Sequence, residues 1–244
     1  MMRRIVVCLD VDGGRVVKGV RFQSLRDIGN PAELAERYEA QGADEIVFLD
    51  ISASAEGRAT LLDTARRTAE RLFVPLTIGG GIRTVDDIAR TLRAGADKVS
   101  INSAAVARPA LLTEAARQFG SQCVVASIDA KDGRVYVHGG RTPTTLDAVE
   151  WAHTCVEHGA GEILLTSIER DGSREGYDLG LTRAVAETVS VPVVASGGAG
   201  SPEDIACVLE DADAALVAGI VHDGITTVGE IKAAVTRAGI PCRL

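Results

Sequence analysis

The sequence lacks both a surplus of basic residues and any long apolar segment. Its 244 residues include 26 Lys and Arg against 34 Asp and Glu, a net charge of −8 at pH 7 with neutral histidines. A nucleic-acid-binding face needs clustered positive charge, so nucleic acid is not expected as a partner. The apolar run Ile5–Leu9 stops at Asp10, and no other run approaches the roughly 18 residues of a membrane span. We therefore expect a cytoplasmic protein with no leader and no membrane partner.

Thiol pairs and metal-ligand spacings are missing as well. The cysteines are odd in number and widely spaced, with no C-x-x-C, which favours unpaired thiols packed in a reducing cytosol. The histidines have no metal-ligand spacing, and no group of thiols or carboxylates suggests a metal site. We predict no metal and no other cofactor. The cysteines are Cys8, Cys123, Cys155, Cys207 and Cys242, and the histidines are His138, His153, His158 and His222.

What the chain does contain is a regular alternation of short β-branched segments and amphipathic segments, the pattern of parallel βαβ units. Strands are predicted near 5–10, 45–50, 74–78, 97–101, 123–129, 162–167, 191–196 and 213–218. Helices are predicted near 31–41, 59–71, 84–94, 109–118, 145–158, 179–188, 202–210 and 227–238. No Pro/Ser-rich linker interrupts the series. Barrels of this type run to about 250 residues, so we predict an α/β fold, a single (β/α)8 TIM barrel in one domain over 1–244.

The chain also carries an internal repeat. Asp10 with Gly14–Val16 matches Asp129 with Gly133–Val135 at an offset of 119 residues. Further collinear matches at offsets of 116 to 117 join Gly42–Ile46 to Gly159–Ile163, Val74–Gly81 to Val191–Gly198, Asp86–Ile88 to Glu203–Ile205 and Ala96–Asp97 to Ala212–Asp213. A general likeness among βα units explains shared Val-Pro turns, but not the matched Asp-(x)-Gly-Arg-Val elements, in which the residue x is optional. We predict two (βα)4 half-barrels, about 1–120 and 121–244.

Two aspartates occupy equivalent positions in this repeat. Asp10 ends the first predicted strand and Asp129 ends the fifth, where the reacting groups of such barrels lie. The first and fifth strands face each other across the barrel, so both carboxylates are expected at one mouth. A lone strand-end aspartate is more often a cap for the following loop. Two at equivalent positions favour an acid and base pair, because burial and like charge separate their pKa values.

Glycine turns form the second repeated feature. Gly79–Gly81 follows the third predicted strand and Ser196–Gly198 follows the seventh. Glycine allows close approach of backbone N–H groups to a phosphate, although tight βα turns need glycine too. Two such turns predict a small bis-phosphorylated substrate. The predicted binding residues are Gly80, Gly81, Asn102, Ser103, Asp171, Gly172, Gly197, Gly198, Ala218 and Gly219, with Asp50, Thr166 and Ser196 on the same rim.

Other charged residues have two interpretations each. Lys18, in the long loop after the first strand, is either a lysine that closes over an anion or a solvated loop residue. Asp171 with Gly172 is either a rim acid or a simple turn. Arg4, Glu45, Lys98 and Glu162 stand at the starts of four strands. Charges there usually extend to water, but their alternating signs also fit a closed ring that serves as a gate or a docking surface.

Taken together, the motifs resemble those of the cyclase subunits of imidazole glycerol phosphate synthase, the HisF family. The similar segments are Cys8–Val11, Gly14–Gly19, Phe48–Ile51, Ile78–Arg83, Asp97–Ala105, Phe119–Gln122, Gly161–Ser167, Arg170–Gly172, Gly176–Asp178 and Ala195–Gly200, which span nearly the whole chain.

The resemblance implies a lyase of histidine biosynthesis that uses ammonia. The family's substrate is a bis-phosphorylated ribulosyl-formimino-aminoimidazole-carboxamide ribonucleotide, and its products are imidazole glycerol phosphate and the aminoimidazole carboxamide ribonucleotide. Its acid and base pair falls on Asp10 and Asp129, and its loop lysine on Lys18. Its gate to an ammonia channel falls on Arg4, Glu45, Lys98 and Glu162. A glutaminase subunit that supplies ammonia docks on that face, so a heterodimer is expected.

The chain departs from the family at three places. Gly219 stands where the family usually has Ser, the loop after Asp129 is shorter than in many relatives, and Glu210–Ala212 lacks the usual Gly. Three alternatives also remain at this point. One is the sister isomerase of the same pathway, which rearranges its substrate without ammonia. The others are a non-catalytic barrel that binds a phosphorylated metabolite, and a half-barrel fusion that retains the fold with little activity.

Overall fold

A computed structural model describes residues 2–20, 23–51 and 55–243 of the chain. The strands are β1 (Arg4–Asp12), β2 (Arg15–Val20), β3 (Gln23–Gly29), β4 (Glu45–Asp50), β5 (Leu76–Gly79), β6 (Lys98–Ile101), β7 (Val124–Lys131), β8 (Arg134–Val137), β9 (Thr142–Asp147), β10 (Glu162–Ser167), β11 (Val193–Ser196) and β12 (Ala214–Val217). The helices are α1 (Pro31–Ala40), α2 (Ala55–Ala69), α3 (Val85–Arg93), α4 (Ser103–Ala107), α5 (Ala110–Phe119), α6 (Ala148–Glu157), α7 (Leu179–Thr188), α8 (Pro202–Val208), α9 (Gly219–His222) and α10 (Val228–Arg237).

Eight strands close into a parallel barrel, as the alternating pattern predicts. The order around it is β1, β4, β5, β6, β7, β10, β11 and β12, and β12 pairs with β1 to complete the ring. Helices lie between successive barrel strands. None of the helices in the described ranges is long and apolar enough to cross a membrane.

Each barrel strand buries both of its faces, which explains its nearly continuous apolar sequence. In β1, Val6 and Cys8 belong to the cluster inside the barrel, whereas Ile5, Val7 and Leu9 pack in the layer under the helices. This alternation is the two-residue period of a strand. The interior cluster is completed by Val47, Val125, Leu164, Val194, Ala214 and Leu216.

The repeat is visible in how equivalent helices begin. Thr84 caps α3 in a reciprocal capping box with Asp87, and Ser201 caps α8 in the same way with Asp204. In each pair the hydroxyl accepts from a backbone N–H and the carboxylate accepts from the cap's own N–H, so the first turn is satisfied. Asn30 caps α1 with its side chain, ahead of Pro31.

Two antiparallel hairpins extend the barrel strands, and the sequence pattern does not predict them. β2 and β3 follow β1, and β8 and β9 follow β7. The first turn of each hairpin has two residues of positive φ, Gly13 with Gly14 and Asp132 with Gly133, the geometry of tight two-residue turns. The prediction of helix near 145–158 is therefore wrong at its start. Residues 142–147 are paired in β9, and α6 begins at Ala148 because Asp147 caps it.

Two short helices, α4 and α9, lie at equivalent places after β6 and β12 and were not predicted. The missing Gly before β12 leaves the barrel intact, since Ala212 N donates to Val208 O at 2.9 Å and β12 pairs with both neighbours. The five thiols are unpaired, but Cys207 is exposed, so packing is wrong for that residue. Cys207 lies on α8, a helix at the surface of the barrel.

Candidate active site

The two strand-end aspartates lie on opposite sides of one barrel mouth. β1 and β7 are four strands apart in either direction around the closed ring. Both aspartates stand where a barrel strand continues into its hairpin: Asp10 pairs with Val17 of β2, and Asp129 pairs with Tyr136 of β8. The repeat therefore places two carboxyl groups at the carboxyl ends of facing strands, as expected from the sequence.

Burial makes Asp10 a weaker acid than usual. Removal from water raises the pKa of Asp10 to about 6. The Lys18 ammonium acts in the opposite direction from 4.0 Å, and Cys8 Sγ donates to the carboxylate at 3.8 Å. The negative charge of Asp171 raises the pKa further. Lys18 is thus close enough to act on the aspartate, which favours a lysine that closes over an anion rather than a solvated loop residue.

Asp129 reaches a similar state with a different partner. Burial raises the pKa of Asp129 to about 6, the Asn102 amide lowers it, and Asp171 raises it. Asn102 Nδ2 donates to Asp129 Oδ2 at 2.9 Å, and in the described structure Asn102 Oδ1 is buried with no hydrogen-bond partner. Sequence reasoning assigned Asn102 to phosphate binding only. Its position at the end of the strand next to β7 was the signal for a contact with Asp129.

A carboxyl group with a pKa near 6 is suited to proton transfer at neutral pH, because both of its protonation states are accessible. Asp171 acts on both aspartates, so the three carboxyl groups form one electrostatic unit. The turn interpretation of Asp171 also holds, since Asp171 N donates to Ser167 O at 3.0 Å and Gly172 has φ of 71°.

The two glycine turns have the same local geometry. Gly80 has φ of 97° and Gly197 has φ of 90°. A Cβ on Gly80 would lie 2.7 Å from Asp50 Cβ, and a Cβ on Gly197 would lie 2.6 Å from Ser167 O. Asp50 and Ser167 are themselves equivalent in the repeat. Glycine is therefore required at both turns for conformation and for packing against the preceding barrel strand.

One cavity at this mouth lies beside the second glycine turn and has a volume of about 180 Å³. Its lining includes Lys18 and the predicted residues Asp171, Gly172, Ser196, Gly197, Gly198, Ala218 and Gly219, together with Arg26, Arg174, Ala199, Leu216 and Asp223. Thr166 pairs with both Asp129 and Ser196 in the barrel. Ser103, at the other turn, accepts a hydrogen bond from His138 N at 2.9 Å.

Sequence reasoning missed Arg26, Arg174 and Asp223. Asp223 accepts from both arginines, with one carboxylate oxygen for each guanidinium. Arg26 lies on β3 opposite Lys18 of β2, and Arg174 lies in the loop between β10 and α7. Asp223 therefore joins the β2–β3 hairpin to the β10–α7 loop at the edge of the cavity. Their location at the carboxyl end of the barrel was the available signal.

At the opposite end, the four predicted charged residues form a closed ring. Arg4 donates to Glu45 at 3.0 Å and to Glu162 at 2.5 Å. Lys98 donates to the same two carboxylates at 2.8 and 2.7 Å. Glu45 also accepts from Thr77 Oγ1 at 2.5 Å. Each charge is balanced by two of opposite sign, so the ring interpretation is favoured over independent solvated charges.

Comparison with known proteins identifies the family of the chain. A family model described as "Histidine biosynthesis protein" matches residues 4–227. The chain belongs to this family. Within the histidine biosynthesis family it is similar to "Imidazole glycerol phosphate synthase subunit HisF" of Myxococcus xanthus (strain DK1622), at 69% identity over 249 residues that cover 100% of this chain and 98% of that protein. The resemblance drawn from the motifs and the barrel fold that it implied are confirmed.

Proposed function

We propose that this chain is the cyclase subunit of imidazole glycerol phosphate synthase and catalyses the ammonia-dependent step of histidine biosynthesis. The observation that carries this proposal is the pair Asp10 and Asp129, two buried carboxyl groups on facing strands, each with a pKa raised to about 6. Membership in the histidine biosynthesis family and the similarity to a HisF subunit supply the pathway and the reaction.

The substrate is the bis-phosphorylated ribulosyl-formimino-aminoimidazole-carboxamide ribonucleotide. One phosphate binds at Gly80 and Gly81, with Asn102 and Ser103 nearby. The other binds at Gly197 and Gly198, beside Gly172, Ala218 and Gly219. Backbone N–H groups at such turns attract a phosphate without a side chain in the way. The reacting part of the substrate then lies between the aspartates.

Asp10 and Asp129 act as general acid and base. Attack by ammonia and release of the leaving group both require proton transfer, and one ionised and one protonated carboxyl group supply both functions. The Lys18 ammonium lies 4.0 Å from the Asp10 carboxylate and stabilises its ionised form, and Asn102 orients Asp129 by its hydrogen bond. The products are imidazole glycerol phosphate and the aminoimidazole carboxamide ribonucleotide.

The ring Arg4–Glu45–Lys98–Glu162 is the gate through which ammonia enters the barrel. It lies at the amino ends of the strands, on the side away from the aspartates. A glutaminase subunit docks on this face in the cytoplasm and supplies the ammonia. The name of the Myxococcus relative, a synthase subunit, supports a multi-subunit enzyme.

The test uses the purified chain, the bis-phosphorylated substrate and an ammonium salt, with no glutaminase. We expect imidazole glycerol phosphate to form, and we expect Asp10→Asn to lower kcat by at least about 100-fold, as for loss of an acid or base. Isomerisation of the aldose precursor without ammonia-dependent turnover would instead identify the sister isomerase. Unchanged turnover in Asp10→Asn would refute the mechanism.

A further inference from the structure

The cavity at the second glycine turn has more positive charge than the proposed mechanism uses. Lys18, Arg26 and Arg174 line it together with two carboxylates, Asp171 and Asp223. The mechanism assigns Lys18 to Asp10 and uses neither arginine. Guanidinium groups at the edge of a phosphate-binding turn can bind the phosphate directly, because their planar arrangement of N–H donors matches its oxygens.

Arg174 is fixed in place from two directions. Its φ of 60° is uncommon for a residue with a side chain and is retained only where the surroundings enforce it. Its carbonyl oxygen packs against Gly200, where a Cβ would overlap it. Its side chain reaches Asp223, whose carboxylate is only 20% exposed. The backbone of Arg174 is therefore constrained, and Asp223 holds its half-exposed guanidinium at the edge of the cavity.

The guanidinium of Arg174 lies over Gly219. A Cβ built on Gly219 would lie 3.9 Å from Arg174 Nη2 and 3.6 Å from Lys18 Cε. Both distances are ordinary contacts, so a side chain fits there. The open space beside Gly219 is thus bordered by a guanidinium from the β10–α7 loop.

We propose that Arg174 is a substrate-binding residue that recognises the phosphate monoester held at Gly197, Gly198 and Gly219, with Asp223 as its positioning residue. This proposal rests on the proposed function, which supplies a substrate with a phosphate at each end. A guanidinium has five N–H donors, and the bridge to Asp223 engages Nη2, so the group can face a carboxylate and a phosphate together. Gly219 has no side-chain donor of its own, so Arg174 supplies the side-chain contact to this phosphate.

In the competing interpretation, Arg174 has only a structural role and does not contact the substrate. In that case Arg26, Asp223 and Arg174 only join the β2–β3 hairpin to the β10–α7 loop. Removal of Arg174 would then alter stability or kcat through loop placement, and substrate affinity would not be the main quantity affected. The separation of KM from kcat distinguishes the two interpretations.

The experiment compares Arg174→Ala with Arg183→Ala in the ammonia-dependent assay. Arg183 lies on α7, pairs with Asp211 at the surface and is 59% exposed, so its removal causes the same change in net charge away from the cavity. We expect Arg174→Ala to raise KM about 10- to 100-fold, as for loss of a hydrogen bond to a charged group, with kcat changed by about twofold or less. Arg174→Lys should fall between wild type and Arg174→Ala, and Arg183→Ala should match wild type.

A rescue variant makes the result specific. Adding Gly219→Ser to Arg174→Ala should recover part of the lost affinity, because a hydroxyl then reaches the same phosphate. A KM for Arg174→Ala within about twofold of wild type would overturn the proposal. So would an equal rise in KM for Arg183→Ala, or a change confined to the urea midpoint.

Failure of the proposed function gives a different result. If the wild-type chain shows no ammonia-dependent turnover, the cyclase assignment fails, and binding of inorganic phosphate followed by ³¹P NMR tests the site alone. Weaker phosphate binding in Arg174→Ala than in Arg183→Ala would support Arg174 as an anion-binding residue. Equal binding in the two variants would overturn it.

Discussion

His222 Nε2 lies 3.0 Å from the carbonyl oxygen of Cys8, and its Nδ1 lies 2.7 Å from the hydroxyl of Tyr38. A carbonyl oxygen only accepts, so Nε2 carries the proton and the Tyr38 hydroxyl donates to Nδ1. Burial lowers the pKa of His222 to about 4, which keeps the ring neutral. The ring thereby joins α9 and α1 to β1, two residues before Asp10.

This arrangement predicts a large loss of stability in His222→Ala. The change removes a buried ring and leaves the Cys8 carbonyl and the Tyr38 hydroxyl without their partner, which we expect to cost about 2–4 kcal/mol in urea unfolding at pH 7. Tyr38→Phe removes one hydrogen bond and should cost about 1–2 kcal/mol. A difference of less than about 0.5 kcal/mol between wild type and His222→Ala would contradict the network.

The same histidine predicts a pH dependence. Its folded pKa of about 4 lies below the unfolded value of 6.5, so the unfolded chain takes up the proton first as the pH falls. The stabilisation by neutral His222 is complete above about pH 6.5 and is lost as the pH falls from there towards about pH 4. The difference in unfolding free energy between wild type and His222→Ala should therefore shrink across this window.

Asp10→Asn should stabilise the protein while it lowers kcat by at least about 100-fold. The folded pKa of Asp10, about 6, lies above its reference value of 3.8, so the cost of ionisation to folding grows as the pH rises between these values and is complete above about 6. We expect an increase of about 1–3 kcal/mol in unfolding free energy at pH 7. The increase should vanish near pH 3, where the aspartate is protonated in both states. An Asn variant less stable than wild type at pH 7 would show that the native contacts of the carboxylate outweigh its desolvation.

Asp171→Asn should move the whole pH–rate profile to lower pH. The negative charge of Asp171 raises the pKa of both Asp10 and Asp129, so its removal lowers both. The profile of kcat against pH is the measurement, because it reports the groups of the bound enzyme. Glu169→Gln removes a charge from the same loop without contributing to either shift and is the control. A profile displaced equally by both variants would point to a general charge effect.

Asn102→Leu should displace one limb of that profile. The Asn102 amide lowers the pKa of Asp129, so its loss raises that pKa and leaves Asp10 unaffected. Movement of the acid limb to higher pH would identify Asp129 as the base, and movement of the alkaline limb would identify it as the acid. A profile with both limbs in place would show that Asp129 does not exchange a proton during turnover.

In the charged ring, loss of one cation leaves two nearly buried carboxylates with a single counter-ion. Lys98→Leu should therefore destabilise the chain by about 2–4 kcal/mol in urea, since broken buried ion pairs cost more than surface ones. Glu45 is 4% exposed, and its conversion to Gln in the same chain should recover part of this loss. Purely additive effects of the two changes would show that their charges do not interact.

The sequence predicts the barrel well because its signals are periodic. The predicted ranges 162–167 and 179–188 coincide with β10 and α7. The hairpins escape prediction because Thr142–Asp147 is extended by pairing with β8, a contact that no local pattern encodes.

The residues of the candidate site also fall into those that the sequence could identify and those that it could not. Asp10 and Asp129 could be found because strand ends and a repeat are written in sequence order. The bridge from Asp223 to Arg26 and Arg174 could not, because it joins residues far apart in the chain through folded loops. The contact of Asn102 with Asp129 lies between these cases, because the predicted neighbouring strands β6 and β7 bring the two residues close but do not specify the hydrogen bond.

The connection after β10, residues 168–178, carries both Asp171 and Arg174. The charges of these two side chains therefore lie in one half of the mouth, beside the second glycine turn. A ligand that ends in phosphate on both sides would find unequal surroundings at its two ends. For the bis-phosphorylated substrate that we propose, this asymmetry of charge is expected to favour one orientation in the barrel over the reverse.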